Sequence, residues 1–259
     1  MSFAIINGAA LHFRFAPGGG IPVVLLNSLG TDMRIWDGVI AGLPAGMPVL
    51  SIDKRGHGLS DDGPASMDQL VSDVAVLMDH LGLKGALICG VSVGGMIAQG
   101  LAIARPDLVS RLVLCCTGAR IGDALSWNTR IENVQRTGIV PMADAVLDRW
   151  FSPSFRKSQA ADLAGYRNML VRTSPQGYGA VCAAIRDTDL RGQIAGLDQP
   201  AHCIAGADDL ATPPDVVRAL AGLIPNAQFS IIDNCGHLPC IEAPDIVANA
   251  ILEMLEREA

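Results

Sequence analysis

Residues 88–100 read ICGVSVGGMIAQG and set one serine between two glycines, each two residues away. Ahead of it, Ala86, Leu87, Ile88, Cys89, Gly90 and Val91 form a short apolar run after a Gly-Leu-Lys-Gly turn, the pattern of a strand buried on both faces. Behind it, Met96, Ile97, Gly100, Leu101 and Ala104 recur at helical spacing until Arg105-Pro106-Asp107 breaks the run. Ser92 therefore belongs to a strand-to-helix turn. A side chain there projects above the sheet edge only if the backbone is strained and its neighbours carry little bulk, and Gly90 and Gly94 supply that room. The N–H groups that open the next helix have no internal partner, and the helix dipole favours negative charge, so an oxyanion beside Ser92 is stabilised. Acyl transfer needs this combination. A glycine-rich turn that only lets strand and helix pack closely has the same local pattern, so the rest of the chain must decide between them.

Working outward, Asn7-Gly8 between Ser2–Ile6 and Leu11–Phe15 predicts an opening antiparallel hairpin. Val23–Leu26, Val49–Ile52, Ala86–Cys89, Leu112–Cys116, His202–Ala205 and Phe229–Ile232 read as strands. They alternate with helices over Met67–Leu81, Val93–Ala104, Pro214–Leu223 and Pro244–Glu258. Such alternation predicts an α/β fold: a mostly parallel sheet with helices on both faces, whose functional edge is the carboxyl end of the strands. Residues 118–199 break the rhythm with helical patterns, no convincing strand and most of the arginine. They read as an inserted helical lid on a core made of residues 1–117 and 200–259, because about 80 residues exceed what one crossover needs.

The 259 residues suffice for one large core, and half of them are hydrophobic. A charged fraction of 17% argues against a disordered or coiled-coil chain, and a net charge of −7 without a basic run argues against a nucleic-acid surface. No apolar stretch reaches the ~18 residues of a membrane helix. The opening MSFAIINGAALHFRFAPGGG lacks the basic-then-apolar order of a signal peptide, so a cytoplasmic location is expected. The seven cysteines contain no C-x-x-C and read as small core residues rather than disulfide or metal ligands. The adjacent Cys115 and Cys116 are expected to point to opposite faces of one strand.

A serine nucleophile needs a base within reach, and the base needs an acid to hold its tautomer. Of five histidines, His237 lies in a loop just past the last strand, on the functional edge. His57, in Asp53-Lys54-Arg55-Gly56-His57-Gly58, is the other contender and reads as part of a tight structural turn. For the acid, Gly206-Ala207-Asp208-Asp209 follows the seventh strand directly; Asp209 is preferred, with Asp208 as the alternative. The order Ser92, Asp209, His237 is that of the α/β-hydrolase arrangement. The oxyanion donors are expected to be the N–H groups of Leu29, in the loop after the third strand, and of Val93, the residue after the nucleophile.

The runs NSLGTDMRIWD, DKRGHGLSD, GVSVGGMIAQGLA, RNMLVRTSPQGY and CGHLPCIEAP make nearly the whole chain resemble an α/β-hydrolase, and within that superfamily the bacterial 3-oxoadipate enol-lactonases. The elbow is common to the superfamily; the lid segment WNTRIENV with RNMLVRT is the more specific part. Asn27-Ser28 stands where many α/β-hydrolases carry His-Gly, and serine rather than aspartate at 92 counts against dehalogenases and epoxide hydrolases. The resemblance implies a serine hydrolase without cofactor or metal, whose partner is a small anionic lactone. Trp127 and Arg130 are expected to bind it from one face of a lid helix, Trp127 as a flat apolar wall and Arg130 as the clamp on its carboxylate, with Arg34, Arg167 or another lid arginine as alternatives for the clamp. Other hydrolases of the same fold, and a receptor that has kept the fold without the chemistry, are the rival readings.

Overall fold

The computed structural model describes residues 2–225 and 227–257. The chain opens with β1 (Ser2–Ile6) and β2 (Ala9–Ala16), joined at Asn7-Gly8, where φ values of 48° and 77° suit a two-residue hairpin turn. Next come β3 (Val23–Leu26), α1 (Asp37–Ala41), β4 (Val49–Ile52), α2 (Met67–His80), β5 (Ala86–Val91), α3 (Val93–Ala104) and β6 (Val109–Cys115). Five helices stand between β6 and the next strand: α4 (Ala124–Thr137), α5 (Ala143–Trp150), α6 (Pro153–Ser158), α7 (Ala160–Val171) and α8 (Pro175–Arg186). The chain returns to the sheet with β7 (Ala201–Gly206), α9 (Pro214–Ala221), β8 (Gln228–Ile232), α10 (Pro239–Glu242) and α11 (Pro244–Glu256). The sequence pattern carries this last helix to Glu258, which lies outside the described residues.

The eight strands form one sheet in the order β1-β2-β4-β3-β5-β6-β7-β8, and β2 alone runs against its neighbours. β3, β4 and β5 are buried at every residue, as expected of central strands covered on both faces. α3 and α11 both pack on β5 and β6, while α9 packs on β7. Among the described residues no helix is long and apolar enough to cross a membrane.

This topology gathers the functional loops. Asn27 follows β3, Asp53 follows β4, Ser92 follows β5, Cys116 follows β6, Asp208 and Asp209 lie just past β7, and His237 lies beyond β8. All stand at the carboxyl edge of parallel strands, where α/β sheets place their sites. One expectation needs correction. Cys116 is not the last residue of β6: its φ is 46°, so the chain has already turned and the alternation that would set Cys115 and Cys116 on opposite faces stops at Cys115. The turn leaves the Cys116 N–H bonded to the Ile204 carbonyl at 2.7 Å and the side chain of Thr117 bonded to the Ser92 carbonyl at 2.6 Å.

A Cβ on Gly90 would overlap the carbonyl of Gly94, and one on Gly94 would overlap the carbonyl oxygen of Leu26. Neither obstacle is a flexible side chain, so the backbone itself would have to move. Gly94→Ala is therefore expected to cost about 1–3 kcal/mol or more, as overpacking of a close-packed interior does. In a thermal melt this is a fall in Tm of roughly 2–4 °C per kcal/mol for a domain of this size.

Candidate active site

Ser92 sits between β5 and α3 at φ 59° and ψ −122°, a conformation that costs a non-glycine residue on the order of 1–3 kcal/mol. Its surroundings hold it there. The Ser92 N–H donates to the Cys115 carbonyl at 3.0 Å, and its own carbonyl accepts from Gly95 N at 2.9 Å, Met96 N at 3.2 Å and Thr117 Oγ1 at 2.6 Å. The N–H groups of Val93 and Gly94, at the start of α3, have no acceptor among the described residues.

His237 Nδ1 lies 2.9 Å from Asp209 Oδ2, with both side chains buried. A carboxylate at that nitrogen fixes the proton on Nδ1 and leaves Nε2 as the basic atom. Asp209 is held in turn by the N–H groups of Ala211 and Thr212 at 2.7 and 3.0 Å and by Thr212 Oγ1 at 2.7 Å. Burial pushes its carboxyl up, but His237, together with the Thr212 hydrogen bonds, outweighs it and sets the pKa below the ordinary value. Asp208 is only half-buried and makes none of these contacts; its N–H bonds to the Cys235 carbonyl at 2.8 Å. The Cys116 sulfur lies close to the Asp209–His237 pair, and burial, reinforced by Asp209, raises its thiol pKa and keeps it neutral.

The loop that carries His237 is tied to the helical insertion. The His237 N–H donates to the Trp150 carbonyl at 2.7 Å, and Glu242 accepts from Gly236 N at 2.9 Å and from Ser152 Oγ at 2.6 Å. Glu242 spans 90 residues to reach Ser152, and nothing in the local sequence singles it out.

The loop after β3 rests on the run that follows β4. The Gly30 N–H donates to His57 Nε2 at 2.9 Å, Met33 N donates to Asp53 Oδ1 at 2.8 Å, and the Lys54 ammonium donates to the Ser28 carbonyl. His57 thus supports the loop; it accepts at Nε2, and burial and Lys54 hold its pKa well below the ordinary value, so it is neutral. The Leu29 N–H has no acceptor among the described residues.

Ser92, His237, Leu29, Trp127 and Arg130 line one cavity of about 120 Å³, whose far wall comes from α4, α5 and α8. Asp209 stands behind His237. Trp127 donates from its indole nitrogen to the Ile121 carbonyl at 2.7 Å, and the Arg130 guanidinium lies over its ring, 5.2 Å from the centroid. A second arginine, Arg149, also lines the cavity from α5, next to Val146 and Trp150, although much of its side chain is exposed. Burial lowers the Arg149 pKa and the charge of Arg130 lowers it further. Neither arginine has a carboxylate partner among the described residues. Arg34 and Arg167 lie elsewhere, paired with Asp32 and with Asp144.

Residues 21–244 match the family model described as the alpha/beta hydrolase fold. The chain is 32% identical over 237 residues to 3-oxoadipate enol-lactonase 2 of Acinetobacter baylyi, covering 91% of this chain and 88% of that one. Among solved structures, the enol-lactonase from Burkholderia xenovorans LB400 superposes with a TM-score of 0.95 at 36% identity, over 99% of this chain and 100% of that one. A thermophilic esterase from Thermogutta terrifontis superposes with a TM-score of 0.91 at 29% identity, over 98% and 97%.

Glu242→Ala strips the acceptor from the Gly236 and Ser152 donors at once. Because each buried donor left unsatisfied costs ~1–3 kcal/mol, urea unfolding should show a loss of that order, while Glu242→Gln, which keeps a carbonyl acceptor, should lose less.

Proposed function

Since the chain belongs to the α/β-hydrolase family, we propose that it is a cytosolic serine hydrolase that opens 3-oxoadipate enol-lactone to 3-oxoadipate, as the protocatechuate branch of aromatic breakdown requires. The observation that carries this reading is the convergence, in one small cavity, of an elbow serine, a carboxylate-bound histidine and two arginines without a carboxylate partner. The first two suit acyl transfer, and the arginines suit a small substrate that is itself an anion. Likeness to the enol-lactonases supports this choice of substrate over a neutral ester.

In this mechanism His237 Nε2 takes the proton of Ser92 Oγ as the oxygen attacks the lactone carbonyl. The N–H groups of Leu29 and Val93 receive the developing O⁻. Collapse breaks the ring C–O bond; the enolate, a good leaving group, takes the proton held on His237 Nε2 and becomes the ketone, still tethered through the acyl group to Ser92, and His237 is neutral again. His237 then deprotonates a water that attacks this acyl-enzyme, and the proton returns to Ser92 Oγ as 3-oxoadipate departs. Asp209 stays ionised, holds the tautomer and stabilises the imidazolium. Arg130 and Arg149 pair with the substrate carboxylate, and Trp127 forms an apolar wall beside it.

Loss of ring absorbance on mixing the protein with the enol-lactone tests the reading directly; strong preference for p-nitrophenyl acetate would point to an esterase instead. Ser92→Ala and His237→Ala should each lower kcat by about 10⁴- to 10⁶-fold with the fold intact. Asp209→Asn should cost on the order of 10⁴-fold and Asp208→Asn less than about 10-fold, since an amide favours the wrong tautomer only at the residue that touches Nδ1.

Removing one partner of a buried ion pair costs ~2–5 kcal/mol, so Arg130→Met should lower kcat/KM for the lactone at least ~30-fold yet leave p-nitrophenyl acetate within a few-fold. Equal losses on both substrates would assign Arg130 to the structure of the helical insertion and leave Arg149 as the partner of the carboxylate.

A further inference from the structure

We propose that Lys54 tunes the oxyanion hole from behind, its buried ammonium hydrogen-bonding the carbonyl of the same peptide unit whose N–H, at Leu29, faces the developing oxyanion. The proposal rests on Leu29 being an oxyanion donor, as in the mechanism above. Lys54 is 6% exposed, and its Nζ donates to the Ser28 carbonyl. Thr31 Oγ1 donates to the same carbonyl at 2.9 Å. Thr31 N adds a longer contact to it at 3.4 Å. The peptide between Ser28 and Leu29 thus receives three donors on its oxygen, while its N–H, at the cavity-lining Leu29, has no acceptor among the described residues.

The physical consequence follows from amide resonance. A donor on the carbonyl oxygen, above all a charged one, draws electron density through the C–N bond and makes the N–H a stronger donor. Lys54 also lacks an ion-paired carboxylate among the described residues. The charged and titratable groups that face it are Asp53, Asp32 and the neutral His57, and none of them neutralises it by contact. Burial is the larger influence and lowers its pKa to about 7. A poorly compensated buried cation is costly in the resting protein and less so once negative charge forms one peptide unit away. An interaction of this kind is stronger in the transition state than in the ground state, which is what raises kcat.

The test is Lys54→Met in the full chain, assayed on the enol-lactone and on p-nitrophenyl acetate and checked for folding by thermal melt. The expected result is a kcat lower by roughly 10- to 100-fold on both substrates, somewhat less than the loss of an oxyanion donor itself, with KM within about threefold. Inhibition by a trifluoromethyl ketone, whose adduct with Ser92 carries an oxyanion, should weaken by a similar factor. The wild type should lose kcat on the alkaline side of neutrality as Lys54 gives up its proton, and the variant should lack that limb. A purely structural anchor would move stability or KM but neither the ketone affinity nor the alkaline limb, and that result would overturn the proposal. If Lys54→Met does not fold, Thr31→Val decides. It removes the Thr31 hydroxyl from the same carbonyl and should lower kcat in the same direction by a smaller factor, and an unchanged kcat would count against polarisation. Ser92→Ala separates the two levels: if it retains activity, the underlying mechanism fails, whereas if it is inactive while Lys54→Met is unimpaired, only the tuning role fails.

Discussion

The site depends on a steric constraint: between β5 and α3 the chain reverses with no side-chain volume at residues 90, 94 and 95. Gly90 lies against the backbone of Gly94, Gly94 against the Leu26 carbonyl at the end of β3, and Gly95 against Thr117 beyond β6. The backbone-to-backbone contacts at Gly90 and Gly94 fix more than the angle of Ser92. They also bring the exit of β3 beside the start of α3, so the loop carrying Leu29 and the N–H groups of Val93 and Gly94 approach the same space. The left-handed φ at Ser92 is unfavourable by itself. Four hydrogen bonds to its N–H and carbonyl over-determine that conformation, and the strain persists because relaxing it would break them.

A second layer supports the first. β4 lies next to β3 in the sheet, so the run Asp53-Lys54-Arg55-Gly56-His57 emerges directly beneath the loop after β3. Asp53 takes up Met33 N, Leu59 N and His12 Nδ1 together, His57 takes up Gly30 N, and Lys54 reaches Ser28. A buried network in which each member is held by another resists local motion more than its pairwise bonds suggest. With Leu29 as an oxyanion donor, as proposed, that rigidity would matter for catalysis, because donors already in place need not reorganise as charge develops.

Features encoded in neighbouring residues were legible in the sequence. The apolar strand before Ser92, the helical spacing after it and the Asn7-Gly8 turn need only local patterns, and the parallel sheet follows from their alternation. Asp209 and His237 stand out by their place just after strands, and the topology brings the two side chains to 2.9 Å of each other. What escaped was held by partners far along the chain. Glu242 is explained by Ser152, Lys54 by the carbonyl of Ser28, and neither pairing leaves a periodic trace. The helices between β6 and β7 were legible as helical but not as five separate units, because polar and apolar residues mix on α7, where only Met169 and Leu170 are buried. Arg149 follows Val146 by three residues and directly precedes Trp150, so it shares with Val146 the spacing that sets Trp127 and Arg130 together on α4.

Arg130 and Arg149 line one cavity without a carboxylate partner among the described residues, and the proposed function makes that the basis of a preference for an anion. Arg149 is partly desolvated and repelled by Arg130, and both effects lower its pKa. Most arginines of the helical insertion avoid such a position by pairing with a nearby carboxylate at the surface, as Arg156 does with Asp148 and Arg186 with Asp187. Surface pairs of this kind contribute little energy and little selectivity, because water screens them. Two guanidinium groups facing one small cavity behave differently. Their mutual repulsion raises the energy of the empty protein, and under the proposed function a substrate carboxylate beside them would relieve that repulsion. Under the same proposal a neutral ester would relieve nothing and would have to desolvate the same charges in order to enter. Discrimination between the two substrate classes would then arise as much from the cost imposed on the wrong ligand as from contacts offered to the right one.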